Sequence, residues 1–203
     1  MNNKKITLSQ FHEKIDDFFN ANKKPNKNDY YYDAMELIGG GKREIKEALK
    51  LLNLALEMDE DCVQTYIGLI SAYGTAGNHK KYEKAVKIAY KKTLEKFPKW
   101  PERVEWGVME NRAYMRAIQY MGDFYWDIGE NEKAIELFRL LLKLNPNDNQ
   151  GVRFEISALY AGLTGKDVNR MTDEGNTKQD WSEQDNLLKV QNKKHNFWKA
   201  PKY

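Results

Sequence analysis

Between Arg112 and Pro146 the chain spaces glycine, alanine, aromatic and proline residues in a way that constrains its fold more than any other feature. Gly122 is followed three residues on by Tyr125, then by Gly129 four later, Ala134 five later, Phe138 four later, Leu141 three later and Pro146 five later. Each type has a mechanical reason at its place. Gly122 and Ala134 let two helix backbones approach, Tyr125 and Phe138 fill the space beside them, Gly129 turns the chain, and Pro146 stops the second helix. Apolar spacing is helical almost everywhere else as well, and long alternating runs that would mark strands are absent, so the fold class read from the sequence is all-α.

Other segments repeat parts of this pattern. A leading helix is expected from near Ser9 to Asn20, with Phe11, Ile15, Phe18 and Phe19 on one face, followed by a polar linker from Asn22 to Asn28. A helix around Asp29 to Ile38 should break at Gly39-Gly40-Gly41, because consecutive glycines lose too much backbone entropy on becoming helical. The next carries Ile45, Leu49, Leu52, Ala55 and Leu56 on one face and ends near Asp59; two more, roughly Asp61 to Ala76 and Lys80 to Lys96, meet at Gly77-Asn78. In this second pair Tyr66, Leu69, Tyr73 and Gly77 fit the first helix, and Ala85, Ala89 and Pro98 fit the second. Ala85 arrives three residues late, which predicts a longer turn there. The first pair keeps Ala48, Leu52 and Ala55 in its second helix but little beyond Tyr32 and Met35 in its first. Lys99 to Met109, with Trp100 and Trp106, is an insertion between the second and third pairs, expected to pack between them.

Asn147 to Leu163 supplies one more helix of the first type, with Asn147 or Asp148 as N-cap. Gly165 to Asn176 lacks the small-residue spacing of a second helix and is not read as another repeat. A last helix is expected from near Trp181 to Phe197, started by a capping box of Asp180 with Glu183 or Ser182 with Asp185, and with Leu187, Val190, Lys194 and Phe197 sharing a face. Trp181, Phe197 and Trp198 would be costly to leave in water, so this helix should seal an end or flank of the array. The alternative is a tail lying in the concave groove, in competition with a ligand.

The spacing around Gly122 to Pro146 resembles the tetratricopeptide repeat family, whose unit is about 34 residues long; the resemblance extends in weaker form over residues 29–163. It implies a short right-handed helical-repeat solenoid over 29–163, preceded by a helix and linker in 1–28 and followed by a helical tail in 164–203. The segments Glu110 to Ala117 and Leu144 to Arg153 are further similar to uncharacterised prokaryotic repeat proteins related in this region to the suppressor-of-tumorigenicity-7 family. In tetratricopeptide repeats, peptides lie against the first helix of each pair. The matching positions are Gln64, Ile67 and Ser71 in the second unit, Arg116, Gln119, Tyr120, Asp123 and Trp126 in the third, and Arg153 and Ser157 in the terminal helix. Arg116 and Arg153 could together grip a carboxylate or phosphate, since guanidinium offers paired donors; alternatively they neutralise Asp123 or Glu155 internally. The lysine and asparagine pattern that clamps a peptide's terminal carboxylate is missing.

Composition narrows the function classes. Lys plus Arg at 33 against Asp plus Glu at 30 leaves a formal charge of +3, too small to imply nucleic acid or a membrane as obligate partner. No apolar stretch approaches the roughly 18 residues of a membrane span, and the single cysteine, Cys62, forms no internal disulfide, so the expected setting is cytoplasmic. Cys62 lacks a local base and reads as a small buried residue. His12, His79 and His195 lie too far apart for metal spacing, and Gly39 to Lys42 lacks the strand and spacing of a nucleotide loop; no metal or cofactor is expected. Asp123 and Asp127 share a helical face and read as a solvated pair. The resulting expectation is a non-enzymatic module that binds a protein or peptide partner, possible as a homo-oligomer. The alternatives are an enzyme with a site gathered from several helices, discriminated by perturbed titrating groups in a closed pocket, and a nucleic-acid binder, discriminated by a continuous basic and aromatic face.

Overall fold

The computed structural model describes residues 24–201, and within them the chain is helical with no strand. Nine helices follow in order: α1 (Lys27–Leu37), α2 (Lys42–Met58), α3 (Val63–Thr75), α4 (His79–Lys96), α5 (Met109–Asp127), α6 (Asn131–Leu144), α7 (Val152–Tyr160), α8 (Gly165–Lys178) and α9 (Ser182–His195). The leading helix expected from Ser9 to Asn20 lies outside the described residues. Helices α1 with α2, α3 with α4, and α5 with α6 form three hairpin pairs; the first helices α1, α3 and α5 also touch one another in succession. The arrangement is that of a helical-repeat array in which each pair covers the exposed face of the one before.

Local chemistry explains the boundaries. Part of the polar linker opens α1: Asn26 accepts from the amides of Asn28 and Asp29 while Asp29 accepts from the Asn26 amide, closing a capping box, and Lys27 pairs with Asp59 at the end of α2. The turn between α3 and α4 is not longer than its counterpart. Both α3–α4 and α5–α6 turn in three residues, with Gly77 at φ 66° and Gly129 at φ 81°. The late alanine sits instead further along α4, where a shift of three residues is close to one helical turn and returns it to the same buried face; Ala85 and Ala89 are both buried.

Close approach decides the packing of the third pair. A Cβ placed on Gly122 would lie 2.4 Å from Phe138 Cε1, and Phe138 is the largest fully buried side chain. The segment between α4 and α5, which holds all of the Lys99 to Met109 insertion but its last residue, packs between pairs as expected: Trp100 stacks on Phe97, Tyr114 meets Phe97 edge-on, and the Val104 amide donates to the Leu144 carbonyl at 2.9 Å.

The tail holds several departures. Gly151, at φ 77°, is the N-cap of α7, but the capping acceptor is the Asp148 carboxylate, which takes the amides of Val152 at 2.9 Å and Arg153 at 3.1 Å. Gly165–Lys178 is a helix, α8, opened by Thr164 and Asp167. It packs on α7, on α9 and on α5 rather than pairing as a second repeat helix would. Neither expected capping box opens α9; Asp180 accepts from the Ser182 amide instead. The buried face of α9 carries Gln184, Leu188 and Gln191, while Val190 and Lys194 point to solvent. Phe197 is buried and Trp198 half-buried, its indole donating to the Pro146 carbonyl at 3.1 Å. Trp181 stays 38% exposed and leans on Gly175, where a Cβ would come within 2.6 Å of its ring. With α9 across it, α7 has no exposed residue.

Candidate functional site

The first helices of the pairs form a continuous face, and α5 lends it two chemically opposite stretches. On its N-terminal half, Met109, Arg112, Ala113 and Arg116 face Tyr31 and Tyr32 of α1 and Gln64 and Ile67 of α3 around a cleft of about 90 Å³. Four of these residues, Tyr32, Gln64, Met109 and Ala113, also line an adjoining cleft of about 500 Å³ that runs past Cys62 to Lys27 and Asp61. The two make one groove. Cys62 is thus half-buried beside it rather than a core residue. The insertion shapes the basic side: Arg112 donates from Nε to the Trp106 carbonyl at 2.9 Å, and the Arg112 and Arg116 guanidinium groups stand 5.1 and 5.9 Å from the Trp106 ring centre. Cation–π contact places these side chains over the ring without an opposite charge. Tyr32, Val108 and Met109 remain 53%, 47% and 57% exposed. Burial pushes the Tyr31 phenol above its ordinary range, with the Arg116 charge and the Gln64 side chain opposing it.

On the C-terminal half of α5 the character reverses. Asp123, Trp126 and Asp127 line a cavity of about 270 Å³ closed by Glu155 of α7 and by Gly165, Lys166, Val168 and Asn169 of α8. Gln119 Nε2 donates to Glu155 Oε1 at 2.8 Å, and Gln119 Oε1 in turn accepts from Gln150 Nε2 at 2.6 Å. The other Glu155 oxygen, Oε2, is shielded from solvent and has no hydrogen-bond partner. Burial, then the negative charge of Asp127, raises the Asp123 carboxyl to about 7. Burial and then the Asp123 charge hold Glu155 well above the usual carboxylate range, against the Gln119 hydrogen bond; burial raises Asp127 too. Of the pair read as a solvated face, Asp127 is exposed as expected, while Asp123 is half-buried beneath α8.

The remaining expected positions divide between these regions and the framework. Ser71 donates to the Ile67 carbonyl and Ser157 to the Arg153 carbonyl, both within their own helices. Tyr120 is half-buried and packs on the core. Arg116 and Arg153 do not converge. Arg153 pairs with Asp148 at 2.7 Å and lies 4.3 Å from the Phe154 and 5.1 Å from the Trp198 ring centre, while Arg116 is exposed above Trp106. Neither forms an ion pair with Asp123 or Glu155, so both the joint grip and the internal neutralisation give way to separate roles. Burial raises the Asp148 carboxyl, and its hydrogen bonds with Arg153 counter that. The residues missed were Tyr31 and Arg112 in the groove and Gln150, Lys166, Val168 and Asn169 around the acids. Arg112, one helical turn before Arg116, could have been found from the sequence. The α8 residues carried no signal, since their contact with α5 is purely tertiary.

Among known proteins, a family described as tetratricopeptide repeat matches residues 113–148, which takes in most of α5, all of α6 and the turn to Asp148. No curated protein and no solved structure matches the chain, so no relative supports the similarity to the suppressor-of-tumorigenicity-7 family. The matched repeat and the helical architecture agree on a repeat-array class of protein. Among the described residues no helix is long and apolar enough to cross a membrane.

Proposed function

We propose that this chain is a non-enzymatic binding module whose groove along α1, α3 and α5 receives a segment of a protein partner. The observation that carries this reading is the combination, in one preformed cleft, of two guanidinium groups, Arg112 and Arg116, that form no ion pair among the described residues, with the exposed apolar side chains Tyr32 and Met109 at its mouth. Such a surface suits a short segment with a carboxylate near an apolar anchor, since arginine binds carboxylates through paired donors and aromatic rims supply contact area at low entropy cost. A cytoplasmic setting, the domain limits 1–28, 29–163 and 164–203, and self-association through an end of the array belong to the same proposal.

The test is a photo-crosslinking residue installed at position 32, compared with one at position 91 on the outer face of α4, in cells that express the full chain. A partner captured at 32 and not at 91, and captured at least tenfold less after Arg116→Glu in a protein of unchanged circular dichroism, supports the groove. Equal capture from both positions, or indifference to Arg116→Glu, overturns it.

A further inference from the structure

The groove along α1, α3 and α5 begins where the chain enters the described residues. Lys27 and Asn28, at the start of α1, line its larger cleft of about 500 Å³, and Tyr32 and Met109 at its mouth are 53% and 57% exposed. The residues numbered 1–23 therefore lead directly to its rim. Between Asn20, where the expected leading helix ends, and Lys27 stand residues 21–26, which reach at most about 20 Å when extended. A helix from Ser9 to Asn20 is about 18 Å long. The face made by α1, α3 and α5 is two interhelical spacings wide, roughly 16–20 Å. Such a helix matches the face in length and lies within reach of it on its own linker.

The chemistry of that segment matches what the groove offers. At helical spacing Leu8, Phe11, Ile15, Phe18 and Phe19 make one apolar stripe, bordered by Asp16 on one side and Lys14 on the other. Its acids, Glu13, Asp16 and Asp17, outnumber the single lysine. In the groove, Asp59 is committed to Lys27 and Asp61 to Lys92. The charged lining groups without an ion pair among the described residues are Arg112, Arg116 and Glu110. A ligand for this surface needs an apolar face for Tyr32 and Met109 and a carboxylate for the arginines, and the segment supplies both, as amphipathic helices do in grooves generally. Leu54 and Met58 of α2 are exposed as well, but the lysines closest to them, Lys50 and Lys27, are paired with Glu47 and Asp59. The helices on which α2 packs, α1 and α3, contain no arginine, so that patch has less to offer the acids.

We infer that residues 8–20 of the chain itself, as an amphipathic helix, occupy the groove, with the apolar stripe toward Tyr32 and Met109 and the acidic border toward Arg112 and Arg116. This assignment rests on the groove reading and names the groove's resident, which a partner segment of like chemistry must displace. Attachment through a short linker gives the segment an effective concentration on the order of millimolar, so contacts too weak to hold a free peptide suffice to fill the site. The partner's apparent affinity falls by the fraction of time the groove is open: a segment seated roughly nine parts in ten weakens the partner about tenfold.

A photo-crosslinking residue at position 15 of the full chain, with adducts mapped by mass spectrometry, tests the placement. Adducts within the same chain on 28–32 of α1, 62–67 of α3 or 109–116 of α5 are expected. Cys62, the single thiol of the chain and part of the groove lining, gives a second readout. Combining Phe11→Asp with Phe18→Asp, in a chain that still melts cooperatively, should speed alkylation of Cys62 about tenfold or more. A free peptide of residues 8–20 should bind that double variant about tenfold more tightly than it binds the unaltered chain, and should lose this advantage when Arg116→Glu is added. Adducts on Leu51, Leu54 or Met58 of α2, adducts joining two chains, or equal Cys62 reactivity with and without the double substitution overturn the assignment. Partner capture from position 32 separates this failure from failure of the groove itself. Capture that rises in the double variant supports the resident segment; capture unchanged by the double variant yet lost with Arg116→Glu overturns the resident alone. Capture absent from both chains overturns the groove reading and the competition with it.

Discussion

Helix α5 runs through both regions, and its two halves have opposite fates. At its start Arg112 and Arg116 remain accessible, propped on Trp106 beside an open groove. At its end Asp123 is half-buried under α8 and Asp127 stays exposed beside it, and partial desolvation makes both hold their protons more tightly, Asp123 the more. The helix is the same; the covering differs. Formal charge on a repeat helix therefore says little about its electrostatics until the neighbouring elements are known, because desolvation dominates wherever a carboxylate loses water without gaining a cation.

The largest effect should come from removing what both halves share. Phe138→Ala empties the contact against Gly122 that positions α5 and should cost about 3–5 kcal/mol in urea denaturation, abolishing groove and acid cavity together. Next, Asp148→Ala uncaps α7 and strands Arg153; a loss of roughly 2 kcal/mol is expected, with the acid cavity loosened and groove binding retained. Smaller again is Asp123→Asn. With a carboxyl raised to about 7 in the folded state, the native form keeps a proton that the unfolded chain has released, so stability falls as pH climbs from about 4 to about 7 and levels off above. The asparagine variant should lack that decline and, at pH 8, melt roughly 3–6 °C higher. An unchanged decline in the variant would show that the aspartate is not the titrating group. Arg116→Ala, at an exposed site, should shift stability by no more than about 0.5 kcal/mol and show no such pH dependence, which separates a binding residue from a buried one.

The helices from 42 to 96 were legible because each buries one apolar stripe at helical spacing, as Ile45, Ala48, Leu52 and Ala55 do in α2. The tail was harder because its buried positions are chemically quiet. In α8 the inward face is Val168, Met171 and Gly175, three positions at helical spacing in an otherwise polar helix. In α9 it includes two glutamines, one of which, Gln184, donates to Thr172 of α8 at 2.7 Å. A buried amide satisfied across helices looks like a surface residue in the sequence. The same limit hid the acid cavity. The spacing of Asp123 and Asp127 was visible, but the covering of Asp123 depends on α8, which lies some forty residues on and pairs with nothing in the repeat pattern.

Because α9 lies across α7 and leaves it with no exposed residue, the array has a finished edge at that side. New units arising by gene duplication could lengthen it there only by displacing α9, whereas duplication of a whole pair before α5 would leave the closed edge intact. Growth of such a protein over evolutionary time, or by an engineer, is thereby directed to one side, and the acid cavity would travel unchanged with the terminus while the groove lengthened.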